Sequence, residues 1–292
     1  MNKVQLVDVC SVFFRFYFSS APEKLNDDGW DISALLAMTR WLCKKELLDA
    51  DSVVLAFDES LGTGFRHQID ENYKAHRPLP TEDIIYQLTL LKSIGEFLGF
   101  VVLASDKYEA DDLLASACGK LPASSCLIYS RDKDLRQLLN DNVSVLDFVT
   151  DTLWTPEYLH EQTGLKPHQI PLYLALVGDA SDNIPGVSGV GDITARRILK
   201  AFTDWPELIN SLLSDTPLNM RGEARIRRNI IASQALVRRN LQLTELKLNA
   251  PVVLKSTPLN EESWKILNAL LEKINLKKPL KKSLELVSGY VI

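Results

Sequence analysis

Apolar runs and amphipathic stretches alternate along the first half of the chain. Four runs have strand length and are rich in strand-forming residues, at 4–8, 53–58, 100–104 and 126–130. Between them, apolar residues recur at helical spacing, which predicts helices at 31–48, 82–99 and 109–119, with another at about 132–140. This alternation of strands and helices predicts an α/β fold in which helices cover both faces of a parallel sheet.

The pattern changes near residue 170. Beyond this point the strand pattern nearly disappears, and glycine and proline turns separate short helices. No internal repeat or low-complexity segment occurs. We therefore expect an α/β core at 1–170 and a mainly helical region at 171–292.

The composition is that of an ordinary soluble globular protein, with 46% hydrophobic and 24% charged residues among 292. No apolar stretch reaches the roughly 18–20 residues that a membrane span requires, and the N-terminus lacks the apolar core of a signal peptide. The four cysteines form neither a C-x-x-C pair nor a zinc-type spacing. We expect a cytoplasmic protein with reduced thiols and no membrane partner.

Acidic residues stand where three of the predicted strands stop. Asp8 ends the first strand, Asp58 ends the second, and Asp132 follows the strand at 126–130. In an open parallel sheet, sites form outside the carboxyl ends of the strands, and massed carboxylates repel one another unless hard cations lie between them. The candidate metal-site acids are Asp8, Asp58, Glu109, Asp111, Asp112, Asp132, Asp134, Asp179 and Asp182. Together they predict a divalent metal site for phosphate chemistry.

Each acidic motif also has a plainer explanation when it is taken alone. The acids at 109–112 open a helix, where they complement its dipole, and the Asp-x-Asp at 132–134 is a frequent turn sequence. Asp179 and Asp182 are three residues apart, so one helical turn would aim both the same way, whereas an N-cap needs only one of them. Four acidic motifs that each follow an apolar run favour one shared metal site.

The formal net charge of −5 argues at first against a nucleic-acid partner. The nine candidate acids account for −9, so the rest of the chain carries about +4. From residue 192 to 239, nine lysines and arginines stand against five acids. An acidic half joined to a basic half suits a protein that grips a phosphate backbone and cuts it at bound metals.

A glycine-rich turn spans 184–191, directly before a helix that is expected to begin near Ile193. Its glycines at 186, 189 and 191 allow the backbone to turn tightly and to approach a phosphate closely. Arg196 and Arg197 follow in the helix. The turn is either a plain connection between helices or part of a helix–loop–helix that grips duplex backbone without reading bases.

Basic residues alternate with aromatic ones after the second strand. Phe65-Arg66-His67 and the string from Tyr73 to Pro78 suit a surface that tracks a single strand, with Tyr73 stacking on a base while Lys74 and Arg77 take phosphates. The alternative is a solvated, charged helix face. Arg15, after the first strand, is either a phosphate contact or an ordinary surface arginine.

Taken in chain order, these motifs resemble those of the 5′-nuclease family, which includes the flap endonucleases and the N-terminal 5′→3′ exonuclease domain of bacterial DNA polymerase I. The matching strings are Val7-Asp8, Ala56-Phe57-Asp58, Phe65-Arg66-His67, Tyr73-Lys74-Ala75-His76-Arg77-Pro78, Glu109-Ala110-Asp111-Asp112, Asp132-Lys133-Asp134, Gly178-Asp179, Ser181-Asp182-Asn183-Ile184-Pro185-Gly186 and Gly189-Val190-Gly191. The resemblance runs from the N-terminus to about residue 250. Val9-Cys10 departs from the usual Gly-Ser or Gly-Asn, and Tyr108 from an aliphatic residue, but neither change removes an acid.

The resemblance implies a PIN/resolvase-like nuclease core over 1–170 with a helical arch around 66–100. A helix-three-turn-helix region that binds duplex DNA would follow in 171–292, with a C-terminal tail. The implied function is that of a structure-specific 5′ nuclease, a stand-alone monomer that removes flaps or primers in replication and repair. Expected substrates are DNA with 5′ flaps, nicks or free 5′ ends, and RNA primers. The tail lysines either form a DNA rim or keep the tail soluble; they are Lys277, Lys278, Lys281 and Lys282.

The resemblance also implies a role for each matched residue, with two Mg²⁺ ions, for which Mn²⁺ can substitute, and one K⁺ ion. Asp8, Asp58, Glu109 and Asp111 would serve the first Mg²⁺, and Asp132, Asp134, Asp179 and Asp182 the second, with Asp112 supporting the metal site from behind. Lys74 and Arg77 would be catalytic. The expected DNA-binding residues are Arg15, Arg66, Tyr73, Gly186, Gly189, Gly191, Arg196 and Arg197. Backbone carbonyls at 186–191, including those of Val187 and Val190, would hold K⁺.

Three other functions compete with this interpretation. A relative that binds DNA structures with little nuclease activity would have lost acids of the second metal, but all four are present here. A small RNA-directed nuclease on a similar core would lack the glycine turn. An Asp-x-Asp phosphatase would carry its nucleophile directly after the first strand, where this chain has Asp8-Val9-Cys10.

Overall fold

The computed structural model describes residues 2–19, 24–60, 62–121 and 124–292. A six-stranded sheet lies at its centre, in the order β3-β2-β1-β4-β5-β6. Five strands are parallel and the edge strand β6 is antiparallel. The strands are β1 (Lys3–Asp8), β2 (Ser52–Asp58), β3 (Val101–Ser105), β4 (Ser125–Tyr129), β5 (Val143–Asp147) and β6 (Thr152–Trp154). The strand order changes direction at β1, which places a crevice at its carboxyl end.

Fourteen helices surround the sheet in the described part of the chain. They are α1 (Val9–Tyr17), α2 (Ser33–Leu42), α3 (Lys45–Leu48), α4 (Phe65–Ile69), α5 (Glu82–Phe97), α6 (Ala110–Gly119), α7 (Pro156–Thr163), α8 (Ile170–Val177), α9 (Asp192–Ala201), α10 (Trp205–Leu213), α11 (Glu223–Ala232), α12 (Gln234–Thr244), α13 (Glu261–Lys273) and α14 (Lys281–Val287). Two short strands, β7 (Gly178–Asp179) and β8 (Ile184–Pro185), form a separate antiparallel pair. None of these helices is both long and apolar enough to cross a membrane.

The sheet separates two hydrophobic cores. Alternate residues of β1 and β2 point to opposite faces, as the two-residue period of a strand requires. Leu6 and Val54 face a core that includes residues of α6 and α8 through α12. Leu55 and Phe57 face a second core, which includes residues of α1, α2, α5 and α13. The sheet is therefore buried on both sides, as is typical of parallel sheets.

The predicted α/β class, with helices on both faces of a mostly parallel sheet, is confirmed. All four predicted strands lie within one residue of their observed bounds. The stretch at 31–48 is broken into α2 and α3, and the helix expected at 132–140 is only a 3₁₀ turn at Asp134–Leu138. The sequence patterns did not predict α1, β5, β6 or α7.

The C-terminal segment, which was expected to be a tail, packs into the second core. Leu267, Leu271, Leu276 and Leu280 are each at most 1% exposed. Burial of one leucine side chain contributes about 1.5–3 kcal/mol, so α13 and α14 help to hold the sheet. The four lysines at 277, 278, 281 and 282 lie on the exposed side of this segment.

Candidate active site

The carboxyl ends of β1 and β2 bring the first two acids into the crevice. Asp8 accepts hydrogen bonds from the Ser130 hydroxyl (2.7 Å) and from the Ser11 amide (3.1 Å), which caps α1. Asp58 accepts from the amide and hydroxyl of Ser60, at 3.1 and 2.8 Å. Because β1 pairs with both β2 and β4 in parallel register, Asp8 lies between Asp58 and the chain that leaves β4.

The N-terminus of α6 brings three more acids to the same edge. Glu109 is the N-cap residue, and Asp111 and Asp112 lie in the first turn. Both oxygens of Asp112 are taken by protein donors, from Arg66 at 2.6 and 2.9 Å and from the amides of Glu109 and Lys247. Asp112 therefore faces Arg66 and supports the site from behind.

Arg66 was expected to bind DNA, and its position contradicts that interpretation. Its side chain is 3% exposed, and its guanidinium pairs with Asp112 and Glu109 while Nε donates to the Leu243 carbonyl at 2.7 Å. A buried charge needs such partners to offset the loss of water. Arg66 is therefore a buried arginine whose contacts hold α4, α6 and α12 together.

Tyr73 was expected to stack on a base, but its ring is also buried. The residue is 2% exposed and packs against Ile184 and Leu243. Its hydroxyl lies 3.0 Å from Glu109 Oε2 and 3.1 Å from Asp182 Oδ2. In this structure Tyr73 bridges two acids of the site, and no face of its ring is open to a base.

Lys74 and Arg77 reach the acids from the turn that follows α4. The Lys74 ammonium lies 2.9 Å from Glu109 and 3.9 Å from Asp182, and Arg77 lies 2.7 Å from Asp182. Burial alone would lower the pKa of Lys74, but the charges of Glu109, Asp182 and Asp58 outweigh it and raise that pKa. Lys74 is held fully charged beside the acids, while Arg77, with its side chain 47% exposed, faces solvent.

A second group of acids lies close together. Carboxylate oxygens of Asp134, Asp179 and Asp182 all fall within 4.8 Å of one another. Asp179 has partners, since Ser181 donates to it twice and Lys133 lies 2.9 Å away. Asp134 Oδ1 is buried without a hydrogen-bond partner among the described residues. An unsatisfied buried oxygen beside two further carboxylates fits a divalent cation, which takes oxygen ligands.

Tyr73 and Lys74 each contact both Glu109 and Asp182, so the two groups of acids lie side by side. Burial, together with the charges of Asp132 and Asp58, raises the pKa of Asp8 from 3.8 to about 6. Burial and the charges of Asp132 and Asp8 raise the pKa of Asp111 well above its ordinary value. Burial, and then the charge of Asp132, also raise the pKa of Asp134 well above its ordinary value. The charge of Asp132 therefore acts on acids of both groups.

The glycine turn lies between β8 and α9. Gly189 has a positive φ of 80°, and a side chain at Gly186 would lie 2.1 Å from the Val177 carbonyl oxygen. Gly186 is thus required by its packing against α8. The side chains of Val187 and Val190 are buried, and their backbones share a hydrogen bond of 2.9 Å.

The remaining residues expected to bind DNA lie at the surface. Arg15 and Arg197 are exposed, and the space around Gly191 is open. Arg196 is different, because its guanidinium pairs with Asp192 at 2.5 Å and donates to the carbonyl of Gln162 at 3.2 Å. Arg196 is therefore partly engaged within the protein.

Two family models together match nearly the whole chain. The model described as 5′-3′ exonuclease, N-terminal resolvase-like domain matches residues 3–164, and the model described as 5′-3′ exonuclease, C-terminal SAM fold matches residues 165–284. The chain belongs to the 5′-3′ exonuclease family. The match continues to residue 284, beyond residue 250, where the resemblance seen in the sequence ends.

Relatives in this family differ in length. A 5′-3′ exonuclease of Aquifex aeolicus is 35% identical over 207 residues, which are 69% of this chain and 70% of that protein. A thermostable DNA polymerase I of Thermus thermophilus is 33% identical over 275 residues, or 94% of this chain. The matched region spans only about a third, 32%, of that polymerase.

The fold of this 5′-3′ exonuclease relative also matches solved structures. A bacteriophage T5 D15 flap endonuclease, solved as a pseudo-enzyme-product complex with DNA and metal ions, has a TM-score of 0.65 at 22% identity. The match covers 98% of this chain and all of the phage chain. At this identity the likeness establishes the shared fold.

Sequence reasoning missed Ser130, a polar residue of this family member's site. Its hydroxyl donates to Asp8 and accepts from the Asp132 amide at 2.9 Å, so it ties the end of β1 to the loop after β4. The available signal was its place, directly after β4 and two residues before Asp132. A hydroxyl at a strand end beside acids predicts such a bridge.

Proposed function

We propose that this protein is a divalent-metal-dependent 5′ nuclease that hydrolyses DNA phosphodiester bonds, as a 5′→3′ exonuclease and a flap endonuclease. The observation that carries the proposal is the acidic crevice, in which Tyr73 and Lys74 join the two groups of carboxylates. In it, Asp134 keeps a buried oxygen without a partner among the described residues, beside Asp179 and Asp182. Carboxylates this close repel one another, and a cation bound between them relieves that repulsion. The family of the chain and the names of its relatives support the same reaction.

The acids divide into two sets of ligands in this proposal. Asp8, Asp58, Glu109 and Asp111 hold one Mg²⁺ ion, and Asp132, Asp134, Asp179 and Asp182 hold the other. Mn²⁺ substitutes for Mg²⁺, because both take oxygen ligands. When bound, a pair of such ions supplies an activated water and neutralises charge on the attacking and leaving oxygens. Asp112 keeps Arg66 and Glu109 in position and touches no metal.

Lys74 and Arg77 stabilise charge on the reacting phosphate. Both cations already lie at the acids, with Lys74 fixed by Glu109 and by its own amide, which donates to the Asp182 carbonyl at 3.0 Å. A cation that is held in place before the reaction loses little energy to reorganisation as charge develops. Arg77 is the more exposed of the two and is free to orient an incoming 5′ end.

The duplex binds to the other side of the crevice in this proposal. The glycine turn at 186–191 presents backbone to the phosphates, with K⁺ held by its carbonyls and with Arg197 of α9 beside it. Substrates are DNA with 5′ flaps, nicks or free 5′ ends, and RNA primers paired to DNA. The protein acts as a monomer in the cytoplasm, in replication and repair.

One assay tests the proposal. The protein is incubated with 5′-labelled flap, nicked and blunt duplexes in Mg²⁺, and again with EDTA. We expect short 5′ products and released flaps in Mg²⁺, and intact DNA in EDTA. Tight binding to the flap duplex without cleavage in either Mg²⁺ or Mn²⁺ would show a DNA-structure-binding protein instead.

A further inference from the structure

A small basic cavity lies beside the metal-site acids, outside the crevice. It measures about 120 Å³, and its walls consist of Lys133, Arg136 and Arg196 together with Tyr173, Thr163 and four leucine or isoleucine side chains. One water takes about 30 Å³ of the liquid, so the cavity has room for several waters or for one tetrahedral phosphate group. The three cations attract an anion, and the apolar walls around them strengthen that attraction by keeping the local dielectric low.

Arg136 is the cation in this cavity that makes no hydrogen bond or ion pair with another described residue. Its guanidinium stacks on the Trp154 ring, and the guanidinium carbon lies 3.6 Å from the ring centroid. The residue is half-buried, and no hydrogen bond or ion pair joins its guanidinium to another described residue, although the charges of Asp132, Asp147 and Asp134 attract it from beyond ion-pair distance. Stacking uses the face of the guanidinium and leaves its N–H edge free. A charge that is partly removed from water is stabilised most by a partner in direct contact, and the described residues place none there.

The other two cations are already shared with acids. Lys133 lies 2.9 Å from Asp179, one of the proposed metal ligands, and Arg196 pairs with Asp192 at the start of α9. Lys133 therefore joins the cavity to the acidic crevice, and Arg196 joins it to the helix that follows the glycine turn. The cavity lies between the place where DNA would be cut and the place where duplex would be gripped.

We propose that this cavity binds one backbone phosphate of the DNA, with the N–H edge of Arg136 as its main contact. The proposal rests on the proposed nuclease function, because it names a phosphate subsite for that substrate. Trp154 is a positioning residue, since its ring fixes the guanidinium. The phosphate bound here would fix the strand between the crevice and the glycine turn, so the site contributes to affinity more than to chemistry.

Arg136→Met is the informative variant. Methionine keeps an apolar chain against Trp154 but removes the charge. DNA affinity is measured by titration with Ca²⁺ in place of Mg²⁺, at several salt concentrations. We expect affinity to fall about tenfold and the slope of log affinity against log salt to fall by about one. KM should rise while kcat changes little. Arg136→Lys should recover part of the affinity.

Arg40→Met is the matched control, because Arg40 is an exposed arginine of α2 and does not line the cavity. It should leave affinity and salt slope unchanged. Thermal melting of each variant separates packing from binding. If Arg136→Met lowers stability but binds DNA with the wild-type affinity and slope, Arg136 is only a packing partner of Trp154 and the proposal fails.

Inorganic phosphate serves as the probe for a free anion. If phosphate stabilises the wild type through Arg136, while DNA binding is the same in wild type and Arg136→Met, the cavity serves a free anion and not DNA. Cleavage of the flap duplex by the wild type is measured in parallel. If the wild type cleaves the flap duplex and Arg136→Met binds DNA as well as the wild type does, only the phosphate subsite is refuted. A wild type that does not cut refutes the proposed function.

Discussion

One buried oxygen of Asp134 supports the proposed metal site. Its buried Oδ1 has no partner in the described structure, and burial, with the charges of Asp132, Asp182 and Asp179, raises its pKa. We expect Asp134→Asn to lower cleavage by at least about 10²-fold and to leave flap-DNA binding largely intact. In EDTA the same variant should melt at a higher temperature than the wild type, because a repulsive buried charge is gone.

The exposed Asp141 provides the control, since Asp141→Asn should change neither property. Turnover and melting are measured on the same preparations. Near wild-type turnover of Asp134→Asn at limiting Mg²⁺ would remove Asp134 from the metal ligands.

Lys74 makes a second prediction at the level of one residue. Its ammonium is held at 2.9 Å from Glu109, in a backbone of positive φ (52°) that the Asp182 carbonyl fixes. Lys74→Ala should slow single-turnover cleavage by about 10²-fold and weaken DNA binding far less. Lys265→Ala, on the exposed face of α13, is the control. Weakened affinity with an unchanged rate would make Lys74 a simple backbone contact.

At the scale of elements, the positions of the glycine turn differ in whether they leave space for a side chain. A Cβ at Gly186 would lie 2.1 Å from the Val177 carbonyl oxygen, whereas a Cβ at Gly191 would meet nothing within 4 Å. Gly186→Ala should therefore lower the free energy of unfolding by about 1–3 kcal/mol or more, and Gly191→Ala should leave it almost unchanged. Urea unfolding of both variants decides the point. Equal stability would mean that the turn relaxes away from α8.

The Arg66–Asp112 pair fixes α4 against α6. Arg66→Met should destabilise the protein by about 3–5 kcal/mol, because it leaves a buried carboxylate without its partner. Asp112→Leu should cost a similar amount. The double variant should be much more stable than the sum of the two losses implies, since it leaves no unpaired charge. A double-mutant cycle by urea unfolding measures this, and additive losses would show that the pair is not coupled.

For the whole molecule, the sequence predicted what depends on nearby residues. Apolar runs that stop at Asp8 and Asp58 were sufficient for the strands and for the crevice. α1 was missed because Val9–Tyr17 directly follows β1 and is rich in the β-branched and aromatic residues that also favour strands. Arg66 and Tyr73 were assigned to DNA because a basic, aromatic string looks like a surface. Their burial depends on partners 46 residues away at Asp112 and 109 residues away at Asp182, and no local pattern contains such partners.

The acidic crevice links the stability of the whole protein to pH and metal. Burial and neighbouring acids raise the pKa of Asp8 to about 6, and those of Asp111 and Asp134 also rise. A carboxyl group with a raised pKa holds its proton longer in the folded protein than in the unfolded chain. The metal-free protein should therefore lose stability as the pH rises from about 4 through 6. The lowered pKa values of Glu109 and Asp179 have the opposite sign, but both groups are ionised over most of this range.

Bound divalent cations should remove that loss, because they prefer the ionised carboxylates. We expect the melting temperature in EDTA to be lower at about pH 8 than at about pH 5, and the increase caused by Mg²⁺ to be larger at about pH 8. Thermal melting at constant ionic strength tests this, with Asp134→Asn as the variant that should show a smaller pH effect in EDTA. If Mg²⁺ raised the melting temperature equally at both pH values, the raised pKa values would not belong to the metal-binding acids. If the metal-free protein became more stable as the pH rose, charge repulsion in the crevice would not be what the bound metals relieve.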